Sequence, residues 1–287
     1  MKTCALLTMT GIDEFMHYDD LLLQPLKELG WLAEFIPWDQ ANVPWHKYDA
    51  VIIRSTWDYQ ANSEKFIYVL TEIENSGATL INPLEIVKWN INKVYLKELE
   101  SNGVEIVPTV WLEQFDFQAI DSYFKLFNSD QIIIKPTISA GADNTFWLKK
   151  ESYHSLQAIL EKSLADKQLM LQPFIPAVID EGEFSLFYFN DSFSHCILKT
   201  PKKGDFRVQE EFGSCIKSID PGSELLAAAV NTLKSLPSKV LYARIDLVKY
   251  QNSYKVMEVE LIEPSLYFNF DDQSPTRFAQ ALNNWLP

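Results

Sequence analysis

The chain has 287 residues, 47% hydrophobic and 13% aromatic, with 25 basic against 39 acidic side chains and a net charge of −14. That length supports a large core in two or three lobes. So acidic a balance argues against a nucleic-acid partner, which needs a basic face. No apolar run approaches the ~18 residues of a membrane span, and MKTC leads straight into a short apolar strand, so a cytoplasmic protein without a membrane partner is expected. Cys4, Cys196 and Cys215 are odd in number and outside any CxxC spacing, which suits reduced thiols. No HExxH, GxGxxG or Walker loop occurs, and the two SxxK patterns at Ser122 and Ser214 are too short to carry weight.

The first ninety residues alternate strand and helix: CALLTM, helical DDLLLQPLKELGW, LAEFIPW, YDAVIIRSTWDY, a helix over 64–76, then ATLINP. This rhythm predicts a parallel sheet, with ligand groups beyond the strand ends. RSTWDY sits at one such end and offers Arg54, Ser55, Trp57, Asp58 and Tyr59 to a substrate. The plainer alternative is that Trp57 and Tyr59 cap the core while Arg54 pairs with Asp58. Next comes a helix, NKVYLKELESNG, capped by Asn92 and stopped by Gly103. An α+β unit is expected to run to Ile175, through a helix over 117–127 and the strands QIIIKP, FWL and LMLQPFI. The rest reads as antiparallel strands plus the helix SELLAAAVNTLKSL.

Three clusters could carry chemistry. Lys135 ends an apolar strand, where an ammonium is costly unless it reaches solvent or an anion, and Ser139-Ala140-Gly141-Ala142 follows, small enough for backbone amides to approach a phosphate. Lys199, Lys202, Lys203 and Arg207 reverse the local sign of an acidic protein, and either meet an anion or form a solvated loop. In KVMEVELIEPSL, strand alternation puts Val256, Glu258, Glu260 and Ile262 on one face and Met257, Val259 and Leu261 on the other. A hairpin from RIDLV would bring Asp246 beside Glu258 and Glu260, three hard oxygen ligands suited to Mg²⁺. Without a cation, their repulsion should raise at least one carboxyl pKa.

The ordered series Lys93, IIIKP, the small-residue loop, LMLQPFI, GEFSLF, DFR, RIDLV and EVE resembles the ATP-grasp superfamily, which includes glutathione synthetase, D-alanine–D-alanine ligase and protein glutamate ligases. RSTWDY, GDFRVQ and EVELIEPSL look most like the cyclo-ligase of cycloserine biosynthesis, an O-ureido-serine cyclo-ligase. The resemblance implies α/β and α+β architecture. A parallel α/β lobe at 1–90 would precede two α+β subdomains gripping ATP, at 91–175 and 176–287. By the same resemblance Lys93 and Lys135 hold the α- and β-phosphates, with Lys199 in the nucleotide set and Ser139 and Gly141 closing over them. Gln172, Phe174 and Ile175 match the hinge beside adenine, and Glu183 the acid on the ribose. Arg207 and Arg244 match the catalytic arginines near the transferred phosphate, while Asp246, Glu258 and Glu260 match ligands of Mg²⁺, or Mn²⁺ in its place. The last ligand is commonly Asn, so Glu260 adds a charge that could draw a metal closer or bind a substrate amine.

This implies a ligase that activates an amino-acid-like carboxylate as an acyl phosphate for attack by an amine-type nucleophile, releasing ADP and phosphate. The partners would be ATP and small-molecule acid and amine substrates, on a monomer or homodimer. Kinase-like transfer or cyclisation of an amino-acid derivative on the same site, and a noncatalytic nucleotide-binding protein, are the alternatives.

Overall fold

A computed structural model describes residues 1–139 and 141–286. Ala140 of the small-residue loop lies outside the described residues. The first sheet comprises β1 (Lys2–Thr8), β2 (Trp31–Pro37), β3 (Ala50–Ser55) and β4 (Thr79–Ile81), all parallel in the order β2-β1-β3-β4. Its two central strands are buried on both faces, which is why they read as unbroken apolar runs. Cys4, Leu6, Ala50 and Ile52 pack to one side, and Ala5, Leu7, Val51 and Ile53 to the other with Phe66, Leu70 and Ile73 of the helix Ser63–Asn75.

The second sheet contains β5 (Val110–Leu112), β6 (Gln131–Pro136), β7 (Phe146–Lys149) and β8 (Leu169–Pro173), antiparallel in the order β5-β8-β6-β7. Along β6, Ile132 and Ile134 are fully buried while Ile133 and Lys135 are half-buried, so alternation turns the Lys135 face away from this sheet's core. The third sheet is β9 (Glu183–Phe189), β10 (Ser192–Thr200), β11 (Cys215–Ser218), β12 (Tyr242–Tyr250) and β13 (Ser253–Glu260), antiparallel in the order β11-β10-β9-β12-β13.

Four local expectations change. The pairing of β12 with β13 slips by one residue between Asp246 and Leu247, leaving Met257 as the extra residue. Val256 therefore packs with Val259 and Leu261 instead of lying on the carboxylate face, and Met257 turns to a different cluster. Leu84–Asn90 and Ser274–Trp285 are helices that the sequence pattern had not marked. The second opens with Pro275 in its first turn and places Phe278, Ala279 and Leu282 against Phe187, Phe189, Tyr242 and Leu22, uniting the first and third sheets in one core. Asn92 Oδ1 accepts from Val94 N at 3.0 Å, one turn ahead of a helix that begins only at Tyr95. The expected helix over DDLLLQPLKELGW is short, with a 3₁₀ turn at Asp19–Leu22 before Leu23–Glu28.

Candidate active site

Cross-strand register builds the centre of the site. On β12, Arg244 lies opposite Glu260 and Asp246 opposite Glu258, while on the other side Asp246 lies opposite Ser185 of β9. Lys199 of β10 is opposite Glu183 of β9. The central strands thus put two cations and four acids on one sheet surface, and the second sheet adds Lys135.

Paired charges satisfy most of these groups. Arg244 Nε donates to Asp246 Oδ1 at 3.1 Å and Nη2 to Oδ2 at 2.9 Å; Nη2 also bonds Glu260 Oε1, and Nη1 reaches the Ser265 carbonyl at 3.3 Å. Ser185 Oγ donates to Asp246 Oδ1 at 2.5 Å. Lys199 Nζ stands 2.5 Å from Glu183 Oε1 and 3.6 Å from Asp246 Oδ2. Lys93 Nζ donates to the Ser139 carbonyl at 2.5 Å and lies 3.0 Å from Glu258 Oε1. Lys135 has no ion-pair partner within 4 Å among the described residues, and its burial, with Lys93 adding and Glu258 opposing, lowers its ammonium pKa.

The acids respond differently although they neighbour one another. Burial alone would raise Asp246, but the Arg244 and Lys199 charges outweigh it and hold the carboxyl below its usual range. Glu258 is likewise held down against burial, by Lys93 and Lys135. Glu260 is pushed up to about 8, first by burial, with Arg244 opposing and Glu258 and Asp246 adding. The expected repulsion is therefore present, yet desolvation leads it. Burial also raises Glu183 in spite of Lys199.

For a divalent cation, Asp246, Glu258 and Glu260 are fitting hard-oxygen donors on directly facing positions. Their oxygens are turned to Arg244, Lys199 and Lys93, and no three acid, His or Cys side chains form a ready metal cluster among the described residues. The cations that meet the inward acids are thus basic side chains, where the sequence suggested a metal. Side-chain rotation away from these partners would be needed for the acids to hold the metal.

Other expected site residues are dispersed. Gln172 is buried, donating to Thr109 Oγ1 at 3.0 Å; Phe174 stacks on Trp147 with centroids 4.4 Å apart, and its amide already bonds the Gln131 carbonyl at 3.0 Å; Ile175 is core. Gly141 has φ 57°, and apart from its chain neighbours no atom of the described residues lies within 4 Å of a Cβ built on it. Arg207 is not brought to Arg244: it pairs with Asp205 at 2.7 Å and lies over Phe212 at 3.7 Å, on the loop carrying Lys202 and Lys203. Lys199 parts from that loop by pointing into the sheet.

RSTWDY is drawn inward. Arg54, 1% exposed, donates from Nε to Asp19 Oδ1 at 3.0 Å and from Nη2 to the Pro264 carbonyl at 2.9 Å. Its acid partner is Asp19, not Asp58; Ser55 Oγ bonds the other oxygen of Asp19. Asp58 accepts from Trp38 Nε1 at 2.7 Å, and Tyr59 is buried against Phe66 with centroids 4.4 Å apart. Trp57 Nε1 donates to the Glu263 carbonyl at 3.0 Å and Gln60 Nε2 to Glu263 Oε1 at 3.0 Å. Asp19, Gln60, Ser185 and Glu263 escaped assignment from sequence. Only Glu263 carried a signal, as an acid in an otherwise apolar stretch.

Comparisons with known proteins agree with this architecture. Residues 4–82 match a family model described as D-cycloserine synthetase DcsG, N-terminal domain, and residues 87–265 one described as prokaryotic glutathione synthetase, ATP-grasp domain. The cycloserine biosynthesis protein DcsG of Streptomyces lavendulae is 28% identical over 277 residues, covering 91% of each chain. The crystal structure of D-cycloserine synthetase DcsG superposes with a TM-score of 0.87 at 26% identity, over 99% of this chain and 100% of that one. D-alanine–D-alanine ligase from Bacillus anthracis shares the fold, with a TM-score of 0.70 at 13% identity over 100% of this chain and 97% of that one.

Proposed function

The chain belongs to the prokaryotic glutathione synthetase ATP-grasp family and is an ATP-dependent, ADP-forming carbon–nitrogen ligase, and from that premise we propose that it closes an amino-acid derivative into a ring. The observation that carries this reading is likeness along the whole chain, in both its amino-terminal lobe and its ATP-grasp part, to a cycloserine-forming relative. An acid and a nitrogen nucleophile in one molecule need only one substrate pocket beside the nucleotide.

In the proposed reaction a substrate carboxylate oxygen attacks the γ-phosphorus of ATP, the bond to the β-bridging oxygen breaks, and ADP leaves. The substrate nitrogen then attacks the acyl carbon. A C–N bond forms, the C–O bond to phosphate breaks, and the nitrogen loses its proton. No side-chain nucleophile is required, and catalysis rests on positioning and charge.

Lys135, with no acid partner within 4 Å among the described residues, and Lys93 would take nucleotide phosphates. Arg244, fixed by Asp246, would face the charge that spreads over the γ-phosphoryl oxygens, and Arg207 would join it only after leaving Asp205. Glu183 would meet the ribose and Gln172–Ile175 the adenine. Asp246, Glu258 and Glu260 would hold Mg²⁺, which when bound neutralises phosphate charge. We further propose that the chain divides into units at 1–90, 91–175 and 176–287. No helix among the described residues is long and apolar enough to cross a membrane, and three free thiols suit the cytoplasmic setting we infer.

The test is a screen of amino acids, dipeptides and O-ureido-serine for ADP and phosphate release, with mass spectrometry of the product. Loss of one water from a single substrate supports cyclisation. A product joining two molecules would replace it with intermolecular ligation, and AMP with pyrophosphate would overturn acyl-phosphate chemistry altogether.

A further inference from the structure

Every acid on the central surface meets a cation within 4 Å. Asp246 has Arg244 and Lys199, Glu183 has Lys199, Glu258 has Lys93, and Glu260 has Arg244. Glu263, three residues beyond the end of β13, has none among the described residues. It is half-buried, so solvent only partly compensates its charge. Its surroundings nonetheless hold it in place. Gln60 donates to one carboxylate oxygen and Trp57 to its carbonyl, both at 3.0 Å, and Arg54 anchors the next carbonyl, that of Pro264, at 2.9 Å. Arg54 belongs to the end of β3 and Trp57 and Gln60 to the segment just after it, all in the amino-terminal lobe that the cycloserine-forming relative shares.

An acid fixed in orientation, half-buried and without a cation within 4 Å among the described residues is a receptor for a positive charge. We propose that Glu263 is the counter-ion for the ammonium group of an amino-acid substrate, with Gln60 aiming the carboxylate and Trp57 holding the Glu263 backbone. Burial pushes the Glu263 carboxyl up to about 7, with Tyr59 and Lys93 opposing, as befits an acid still short of its partner. The assignment rests on the ligase reading and refines its substrate: the activated acid carries a free ammonium, which separates it from simple carboxylic acids.

Isothermal titration with Mg²⁺ and AMPPNP present tests it, using cycloserine and its deamino ring, isoxazolidin-3-one, as probes. Wild type should bind cycloserine about thirtyfold more tightly, the range for loss of one member of a desolvated charge pair. Glu263→Gln should bind the two alike, while Glu263→Asp keeps part of the preference and AMPPNP affinity stays unchanged in both. Equal binding of the probes to wild type, binding of neither, or a preference that survives in Glu263→Gln overturns the assignment. The wild-type comparison holds whether or not a variant folds. Intact AMPPNP binding beside any of those failures leaves the ligase reading standing, whereas its absence from wild type would defeat that reading instead.

Discussion

Lys93 bridges Ser139 and Glu258: its ammonium donates to the Ser139 carbonyl at 2.5 Å and lies 3.0 Å from the Glu258 carboxylate. One cation thus ties the small-residue loop to the acid strand. Lys93→Met should raise the Glu258 pKa, free the loop and cost about 1–3 kcal/mol of stability, the range for lost hydrogen bonds to charged groups. Under the proposed function it also weakens AMPPNP binding at least tenfold. Calorimetric titration and urea denaturation measure the two effects, and unchanged nucleotide affinity would remove Lys93 from the nucleotide site.

Glu258 and Glu260 share a strand face yet should respond oppositely to neutralisation. Glu258→Gln gives up the Lys93 pair and destabilises the ligand-free protein by about 1–2 kcal/mol. Glu260→Gln removes a charge that burial and two neighbouring acids already disfavour, so at pH 8 it should be neutral or slightly stabilising. Both should shrink the melting shift given by Mg-ATP, because that shift is set by ligand concentration over Kd and loss of a proposed metal ligand raises Kd. Scanning fluorimetry with and without Mg-ATP reads all four quantities.

Arg54→Ala should act on stability before it acts on turnover. It leaves Asp19, 3% exposed, with no cation within 4 Å among the described residues and releases the Pro264 carbonyl. Stranding a buried charge costs about 3–5 kcal/mol. The variant should melt well below wild type, while Arg54→Lys, one ammonium in place of the fork, recovers only part of the loss. A melting curve matching wild type would show that the buried pair contributes nothing.

His195 supplies a pH signature apart from the catalytic groups. Its ring stacks on Phe187 with centroids 4.1 Å apart, and Nε2 lies 3.0 Å from the Leu266 carbonyl. Burial depresses its pKa to about 4; the Leu266 carbonyl and Asp271 oppose this and Arg277 adds to it. The unfolded chain therefore binds the proton first as pH falls. The neutral-histidine contribution is complete above about 6.5 and is lost between there and about 4, amounting to roughly 3 kcal/mol. Urea denaturation at pH 7 and pH 5 should show wild type losing stability relative to His195→Gln between the two, since the raised Glu260 and Glu263 carboxyls contribute alike to both proteins.

The sequence by itself determined the elements that a local pattern can specify. Unbroken apolar runs in CALLTM and AVII required strands buried on both faces, and alternation in QIIIKP turned Lys135 away from its core. The order of the pieces from Lys93 to Glu260 carried the family, with Lys199, Arg244, Asp246, Glu258 and Glu260 on one sheet and Lys135 on another. Tertiary structure decided what depends on cross-chain partners. The bulge at Met257 arises from register between two strands, so alternation along one strand could not foresee it. Arg54 meets Asp19 rather than Asp58 because a separate loop folds over the strand end, and no local spacing encodes that approach. Ser274–Trp285 finds its core against Phe189 and Leu22, both distant in sequence. Glu263 was visible as a misplaced acid, but that no cation lies within 4 Å of it among the described residues is a fact about every neighbour at once, which only the assembled fold can supply.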